Sequence, residues 1–511
     1  MDLDLKKEIP ILINKFKSNR YDEVINKCLT LLKHNHSDFL WNLLGMCFQN
    51  IFQYKKSIDC FQNAIKINPK NFSAYNNLGI TYKNLRNYKD AELNLSKALN
   101  INSSYINALV NLGNLKNDTF YFNDAIIYYK KALDIDPNNS LLYLNLATTY
   151  QSINQIDEAK NYLNKALKID DMFTVADHKL SLLENYNKKN VHLEKMNKKL
   201  QTKELKDNDK VNLYFAIAKA LEDCEDYKKS IEYLKLGNRL QRSLINYNKK
   251  FYTELKEKIK LLFSKINPKK LENNNQGKNN IFIIGMPRSG TTLLEKIISS
   301  HSKVSTISET NFISDKISGY FYNDKEHDID KFLKYVNSDF SSEYKNFINL
   351  FNINSEKILD KTLSNFWYIG FIKIIFPNSK IIHSLRNPKD NCLSIYKNLF
   401  DTHEGWLYDE DELKSYYKNY QEIMSYWNDI FGNDILNFRY EDLIKNPKTR
   451  IEKLLNYCDL EWEENCLNFH NNKNPIKTLS VNQANKPIYK TSIKKSDFYK
   501  EDLSSLFSNL D

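Results

Sequence analysis

Small residues return in phase every 34 positions through the first third of the chain. Gly45, Gly79, Gly113 and Ala147 share one position, Ser57, Ala91, Ala125 and Ala159 a second, and Ala64, Ala98, Ala132 and Ala166 a third. A single globular core would not produce this period. It describes a unit of two antiparallel helices that approach closely where side chains are small, while Leu, Tyr and Phe fill the space between units. Residues 38–173 carry the pattern clearly, and Pro69 and Pro137 fall where the second helix of a unit must stop. Residues 5–37 read as a degenerate first copy and 174–206 as a worn one with a highly polar KKLQTKELKDNDK stretch. Residues 207–241 read as a final copy, with Ala218, Ser230 and Gly237 in phase.

The period and the phase of its small residues resemble the tetratricopeptide repeat (TPR), which implies an all-α superhelix over residues 1–245. Two uses are open for such an array. Its concave groove can bind a peptide, a partner protein or another copy of the chain, or the array can be a scaffold for the domain that follows. The Tyr and Phe positions keep helical spacing and read as core, so they single out no groove residue.

Residues 246–280 read as a charged helix (NKKFYTELKEKIKLLFSKI) and a linker, ahead of a second domain at 281–511. That domain opens on IFIIGMPRSGTTLLEKI, residues 281–297. IFIIG is a buried parallel strand by pattern, and TTLLEKIISSH the helix after it. Between them Arg288, Ser289, Gly290, Thr291 and Thr292 can wrap peptide N–H groups and hydroxyls round a tetrahedral anion at a helix N-terminus. A nucleotide-hydrolysing loop of the GxxxxGK[ST] kind would need Lys where Thr291 stands. Arg288 brings a fork of donors instead, suited to a bridging oxygen or a leaving phosphate. Alone, the loop is also consistent with a generic anion site or a simple strand-to-helix turn.

FPNSKIIHSLRNPKDNCLSIYKNLF, from Phe376, repeats the turn, strand, loop and helix order. Arg386 sits at the strand end and Ser394 inside the next helix, so both can converge on one phosphate. Two anion sites on one sheet imply a ligand with phosphates at both ends. The pair resembles the loops with which sulfotransferases hold 3'-phosphoadenosine 5'-phosphosulfate (PAPS). SETNFI with Glu309, LDKTLSNFWYIGF with Lys361, FRYEDL with Tyr440, and LSVNQANKPIYKTSIKKS with Ser480 and Lys495 follow in the order seen in tyrosylprotein sulfotransferase and its bacterial relatives. A TPR array ahead of such a domain is similar to the bacterial TPR-containing sulfotransferases. The implied fold is α plus α/β: a TPR superhelix, then a P-loop-like domain with a mostly parallel sheet and helices on both faces.

The resemblance implies roles. Glu309 is the general base for the acceptor hydroxyl, and Arg288 and Lys361 stabilise charge on the bridging oxygen and leaving phosphate. Arg288, Ser289, Gly290, Thr291, Thr292, Arg386, Ser394, Tyr440, Ser480 and Lys495 hold the donor, with 3'-phosphoadenosine 5'-phosphate as product and no metal. Each residue also has a plainer reading. Glu309 can cap the helix near Thr310, Lys361 can pair with Asp360, and Tyr440 can be core. His383 reads as a buried, hydrogen-bonded residue, His301, His403 and His470 as structural or surface, and Asp409–Glu412 as a solvated helix start. Two positions depart from the animal enzymes. Asn398 stands where they have arginine, which leaves the 3'-phosphate less firmly held or held by Lys397, and Ser496 stands where they have tryptophan. Those enzymes are also anchored in a membrane of an oxidising compartment.

The formal charge of +11 suits an anionic ligand or a lysine-rich surface, and no basic run is dense enough for a nucleic-acid arm. The seven cysteines are scattered without a CxxC pair, which reads as free thiols in a reducing compartment. No stretch approaches the ~18 apolar residues of a membrane span, so a cytoplasmic, membrane-free protein is expected. The acceptor stays open between protein tyrosine, a glycan or lipid hydroxyl, and a small metabolite. Two alternatives to the enzyme stand beside it: a P-loop kinase using a nucleoside triphosphate, and a non-catalytic TPR interaction scaffold.

Overall fold

The computed structural model of the chain describes residues 3–202, 204–265, 277–323, 334, 340–351, 353, 355–472, 484–488 and 493–510. Most of the expected linker, and Ser480, lie outside these residues. Fifteen helices succeed one another between Leu3 and Ser264. The 34-residue period reaches into the backbone. Phe52, Arg86, Phe120 and Asn154, one per unit, all adopt left-handed φ between 58° and 66° at the turn inside each hairpin. There the N–H of Gln53 bonds to the carbonyl of Phe48 at 2.8 Å, and that of Asn87 to Tyr82 at 2.9 Å, closing the helix end as a Schellman turn.

The small residues sit where the helices touch. Ala64, Ala98, Ala132 and Ala166 are fully buried. A Cβ on Gly113 would lie 2.5 Å from Tyr129 Cε1, closer than atoms pack, so glycine alone permits that approach. Asparagines bridge neighbouring units: Asn77 donates to Asn42 at 3.0 Å and Asn111 to Asn76 at 2.9 Å. Such satisfied buried amides fix register, because a slipped unit would leave them unpaired.

The polar 174–206 segment also forms a helical pair, Thr174–Ser181 and Val191–Leu200. Its core sets a polar network beside the buried apolar residues Leu193, Met196 and Leu205. Buried Asp177 accepts from Lys199 at 2.9 and 3.1 Å and meets His192 Nε2 at 3.0 Å, while His192 Nδ1 meets the Tyr186 hydroxyl at 2.7 Å. Polarity in this stretch therefore marks an unusual core, not its absence.

The chain forms two compact units, Met1–Thr149 and Tyr150–Asp511. The second holds the later helical pairs together with a five-stranded parallel sheet. Its strands are β1 (Asn280–Gly285), β2 (Val304–Ser308), β3 (Lys357–Asp360), β4 (Lys380–Leu385) and β5 (Ile435–Arg439), in the order β2-β3-β1-β4-β5. Ile281, Ile283, Leu359 and Ile382 are fully buried and pack against Leu294, Ile297 and Ile298 of the helix Thr291–Ile298 and Leu454 and Leu455 of the helix Pro447–Tyr457. From β1 the chain winds to one side through β2 and β3, then returns to place β4 and β5 on the other. The order therefore reverses between β1 and β4, and a crevice opens at the carboxyl ends of strands where that happens. Both predicted anion loops begin there.

One expectation is corrected. Asp409 does start a helix, Glu410–Phe431, its carboxylate accepting from the N–H groups of Asp411 and Glu412. Glu412, however, is 7% exposed, because the Arg242 guanidinium takes it with two bonds of 2.7 and 2.9 Å and Lys249 lies at 3.0 Å. The run is a joint between two helices as much as a solvated cap. His383 is buried, with Nδ1 at 2.7 Å from Asn437 and Nε2 on the Tyr420 hydroxyl. Burial pushes it down to about 4. All seven cysteines are free. No helix among the described residues is long and apolar enough to cross a membrane.

Candidate functional site

The loop after β1 owes its shape to donors that arrive from β4 and the helix behind it. Arg288 takes φ +66° and Gly290 φ +102°, so the chain bends back on itself before the helix starts. One carbonyl of the bend is then fixed from within it and three from outside. Met286 accepts from the N–H of Ser289 at 3.3 Å, Pro287 from Asn391 at 2.8 Å, Arg288 from Arg386 at 2.9 Å, and Ser289 from the Ser384 hydroxyl at 2.9 Å. In a trans peptide the N–H points opposite its carbonyl. Holding the carbonyls of Pro287 and Ser289 outward thus aims the N–H groups of Arg288 and Gly290 into the bend, at the positive end of the helix Thr291–Ile298.

Two further features suit an anion. The Ser289 hydroxyl is buried and has no hydrogen-bond partner among the described residues. An orphaned donor of this kind costs stability unless a ligand satisfies it. At Gly290 a Cβ would meet Tyr440 Cδ2 at 2.7 Å, so the Tyr440 ring lies flush against the loop. The same ring carries the Arg386 guanidinium 5.2 Å from its centre. Tyr440 begins the helix Tyr440–Lys445 directly after β5.

The second predicted site meets the first. Arg288 Nε lies 3.2 Å from the Ser394 hydroxyl, which projects from the helix Pro388–Tyr396. Asn398 donates to the Ser394 carbonyl at 2.6 Å, so it braces this helix end. Lys397, beside it, and Lys495 both reach one carboxylate, that of Glu222; the Lys495 contact is 3.3 Å. Arg288, Ser289, Gly290, Arg386, Ser394 and Tyr440 are thus one cluster, with Thr291 and Thr292 in the first turn behind the bend.

Glu309 and Lys361 form a separate pair. The Glu309 carboxylate is 41% exposed and hydrogen-bonds Lys361 Nζ, which is fully covered. On its other side Lys361 lies 3.4 Å from Glu295, also fully covered, whose second oxygen accepts from Thr306 at 2.7 Å. Burial opposes the charge of Lys361, but the two carboxylates outweigh it and hold the lysine above its usual range. It is therefore a fixed positive charge. Asp360 does not take this lysine; it accepts from the N–H of Thr362 at 2.9 Å and from Tyr344 at 3.1 Å. Nor does Glu309 cap the next helix, which starts at Phe312 with its N–H 3.5 Å from the Thr310 hydroxyl.

Four contributors escape a reading of motifs. Glu295 is visible only as a carboxylate inside the apolar run TTLLEKII, an anomaly that asks for a buried partner. Asn391 and Ser384 are ordinary in sequence and matter through the carbonyls they hold. Glu222 has no local signal, lying 273 residues from Lys495.

Comparison with known proteins adds a family. Residues 280–464 match the sulfotransferase family. Residues 53–85, 72–105, 122–176 and 211–243 match tetratricopeptide repeats. An uncharacterized protein of Aquifex aeolicus (strain VF5) is 31% identical over 312 residues, 58% of this chain; the chain covers 41% of that relative's length. Among solved structures, one of MamA is 22% identical, covering 34% of this chain and 96% of that chain with a TM-score of 0.29. A Pseudomonas aeruginosa pilF structure is 17% identical, covering 43% and 93%, with a TM-score of 0.31.

Proposed function

The chain joins tetratricopeptide repeats to a domain of the sulfotransferase family, and from that premise we propose that it transfers a sulfonate group from PAPS to an acceptor hydroxyl. The observation that carries this reading is the meeting of two anion loops at the β1/β4 switch point, Arg288 of the first within 3.2 Å of Ser394 of the second. A ligand with a phosphate at each end of a nucleoside matches that pairing; a triphosphate, extended in one direction, does not.

In this reading PAPS supplies an activated sulfonate whose leaving group is a phosphate. The bend of Arg288–Thr292 holds the 5' end, with the Ser289 hydroxyl and the N–H groups of Arg288 and Gly290 as donors. Arg386, Ser394, Tyr440, Ser480 and Lys495 hold the 3' end and the nucleoside. Glu309, the open member of its pair, takes the acceptor's proton as the new O–S bond forms. The old S–O bond breaks with its electrons going to the 5'-phosphate. Lys361 and Arg288 meet that developing charge as fixed cations, needing no proton transfer and little reorganisation. The repeats bind the acceptor or a partner protein, and a protein tyrosine is one acceptor that such an array could present.

The test is release of 3'-phosphoadenosine 5'-phosphate (PAP) from PAPS by the purified chain, with phenol, sugar and peptide acceptors and with chelator present. Turnover of PAPS without added metal is expected. Magnesium-dependent ATP turnover with no use of PAPS would sink the proposal. Gly290→Ala offers a second check. Its left-handed φ costs a side chain about 1–3 kcal/mol, and the new Cβ drives Tyr440 off the loop. PAP and AMP should both bind about tenfold more weakly by calorimetric titration, since the loop serves the 5' end that they share.

A further inference from the structure

The 3' end of the proposed site borrows a residue from the last repeat. Glu222 stands at the end of the helix Asp207–Asp223, and its side chain is 12% exposed. It pairs with Lys397, which closes the helix bearing Ser394, and with Lys495 at 3.3 Å. The repeat hairpin is fastened at this spot by several other bonds. Asn238 donates to the Tyr396 carbonyl at 2.9 Å, Tyr227 stacks on Phe498 at 4.6 Å, and Lys235 donates to the Asp502 carbonyl at 2.7 Å. Glu222 is therefore held at its post by the framework, not by its two lysines alone.

The charges suit a placeholder. Burial opposes the ionised form of Glu222, yet the two lysines outweigh it and hold the carboxylate below its usual range. Burial pushes Lys397 down, and Glu222 is the main charge that sustains it, while Lys495 and Arg288 repel it. Three cations thus face one region and a single carboxylate partly neutralises them. A phosphate entering there would offer the same lysines a stronger acceptor.

We propose that Glu222 sets the specificity of the donor site, standing in for the 3'-phosphate on Lys397 and Lys495 until the ligand takes those lysines over. This rests on the donor reading above. A nucleotide with a 3'-phosphate gains the two cations but must displace Glu222 from them; one without it leaves the pairing intact and gains nothing. The final repeat is then part of the donor site, and occupation of that site loosens a bond between the repeats and the sheet domain.

The experiment is calorimetric titration of the full chain with PAP and with AMP, which lacks the 3'-phosphate, in wild type, Glu222→Gln and Lys495→Ala. Glu222→Gln keeps the shape and removes the competitor, so PAP should bind about tenfold more tightly while AMP changes less than about twofold. PAP should also raise the melting temperature of Glu222→Gln more than that of wild type, because the ligand replaces a missing counter-charge. Lys495→Ala, at a half-exposed side chain, should weaken PAP and spare AMP. Unchanged PAP affinity in Glu222→Gln, or equal shifts for PAP and AMP, overturns the inference. If Glu222→Gln fails to fold, Lys495→Ala decides: PAP affinity unchanged overturns it, and a loss confined to PAP upholds it. A wild-type chain that does not bind PAP sinks the donor reading itself, and this inference with it.

Discussion

Lys361→Met should lower kcat for sulfonate transfer about 10²- to 10³-fold and destabilise the sheet domain by about 3–5 kcal/mol. The two losses have different origins. Lys361 is fully covered between Glu309 and Glu295, so methionine fills the space but strands a buried carboxylate. Glu295 is the one at risk: among the described residues its Oε2 is met by the lysine, at 3.4 Å. The kinetic loss has another source: in the proposed reaction Lys361 is the cation that meets the leaving phosphate. A double variant separates them. Glu295→Gln with Lys361→Met removes the stranded charge, so chemical denaturation should show most of the stability restored while kcat stays low. If the rate returned together with the stability, Lys361 would be a structural residue and the catalytic assignment would fall. Glu295→Gln alone should leave the fold sound and shift Lys361 toward Glu309, lowering kcat by less than loss of the lysine does.

The parts of this architecture that sequence exposed are those written in local pattern. In-phase small residues announced the helical pairs because close approach tolerates nothing larger, as the Gly113–Tyr129 contact illustrates. IFIIG and KIIHSL declared parallel strands because a sheet covered on both faces needs unbroken apolar runs. Arg386 could be placed at a strand end and Ser394 in the helix after it, because the turn, strand, loop and helix order is written in local pattern. What stayed hidden depends on three-dimensional neighbours. Nothing near Asn391 says that it will hold the Pro287 carbonyl, and nothing near Glu222 says that it will meet Lys397. The left-handed turns at Phe52, Arg86 and Phe120 were also concealed, because glycine, the usual sign of such a turn, is absent from all three. The polar 174–206 segment misled for a related reason: a buried Asp177–Lys199–His192 network stands there beside the apolar packing of Leu193, Met196 and Leu205.

Arg386→Ala should weaken PAP by about 10- to 150-fold, the range expected when a charge-assisted contact worth about 1.5–3 kcal/mol is lost. Two effects are combined in that number. Arg386 rests 5.2 Å over the Tyr440 ring and also donates to the Arg288 carbonyl at 2.9 Å. In the proposed site the guanidinium on Tyr440 serves the 3'-phosphate, and its bond to the Arg288 carbonyl holds the bend proposed for the 5' end. AMP measures the second by itself. A loss of about fivefold or less for AMP, against the larger loss for PAP, would place a phosphate directly on the guanidinium. Equal losses for both ligands would mean that Arg386 only braces the loop, and the 3' end would then fall to Lys397 and Lys495. Arg386→Lys refines the choice. A lysine keeps the charge but lacks the planar fork needed to cover Tyr440 and reach the Arg288 carbonyl together. It should therefore recover part of the PAP affinity if a phosphate is the partner, and little of it if the carbonyl is.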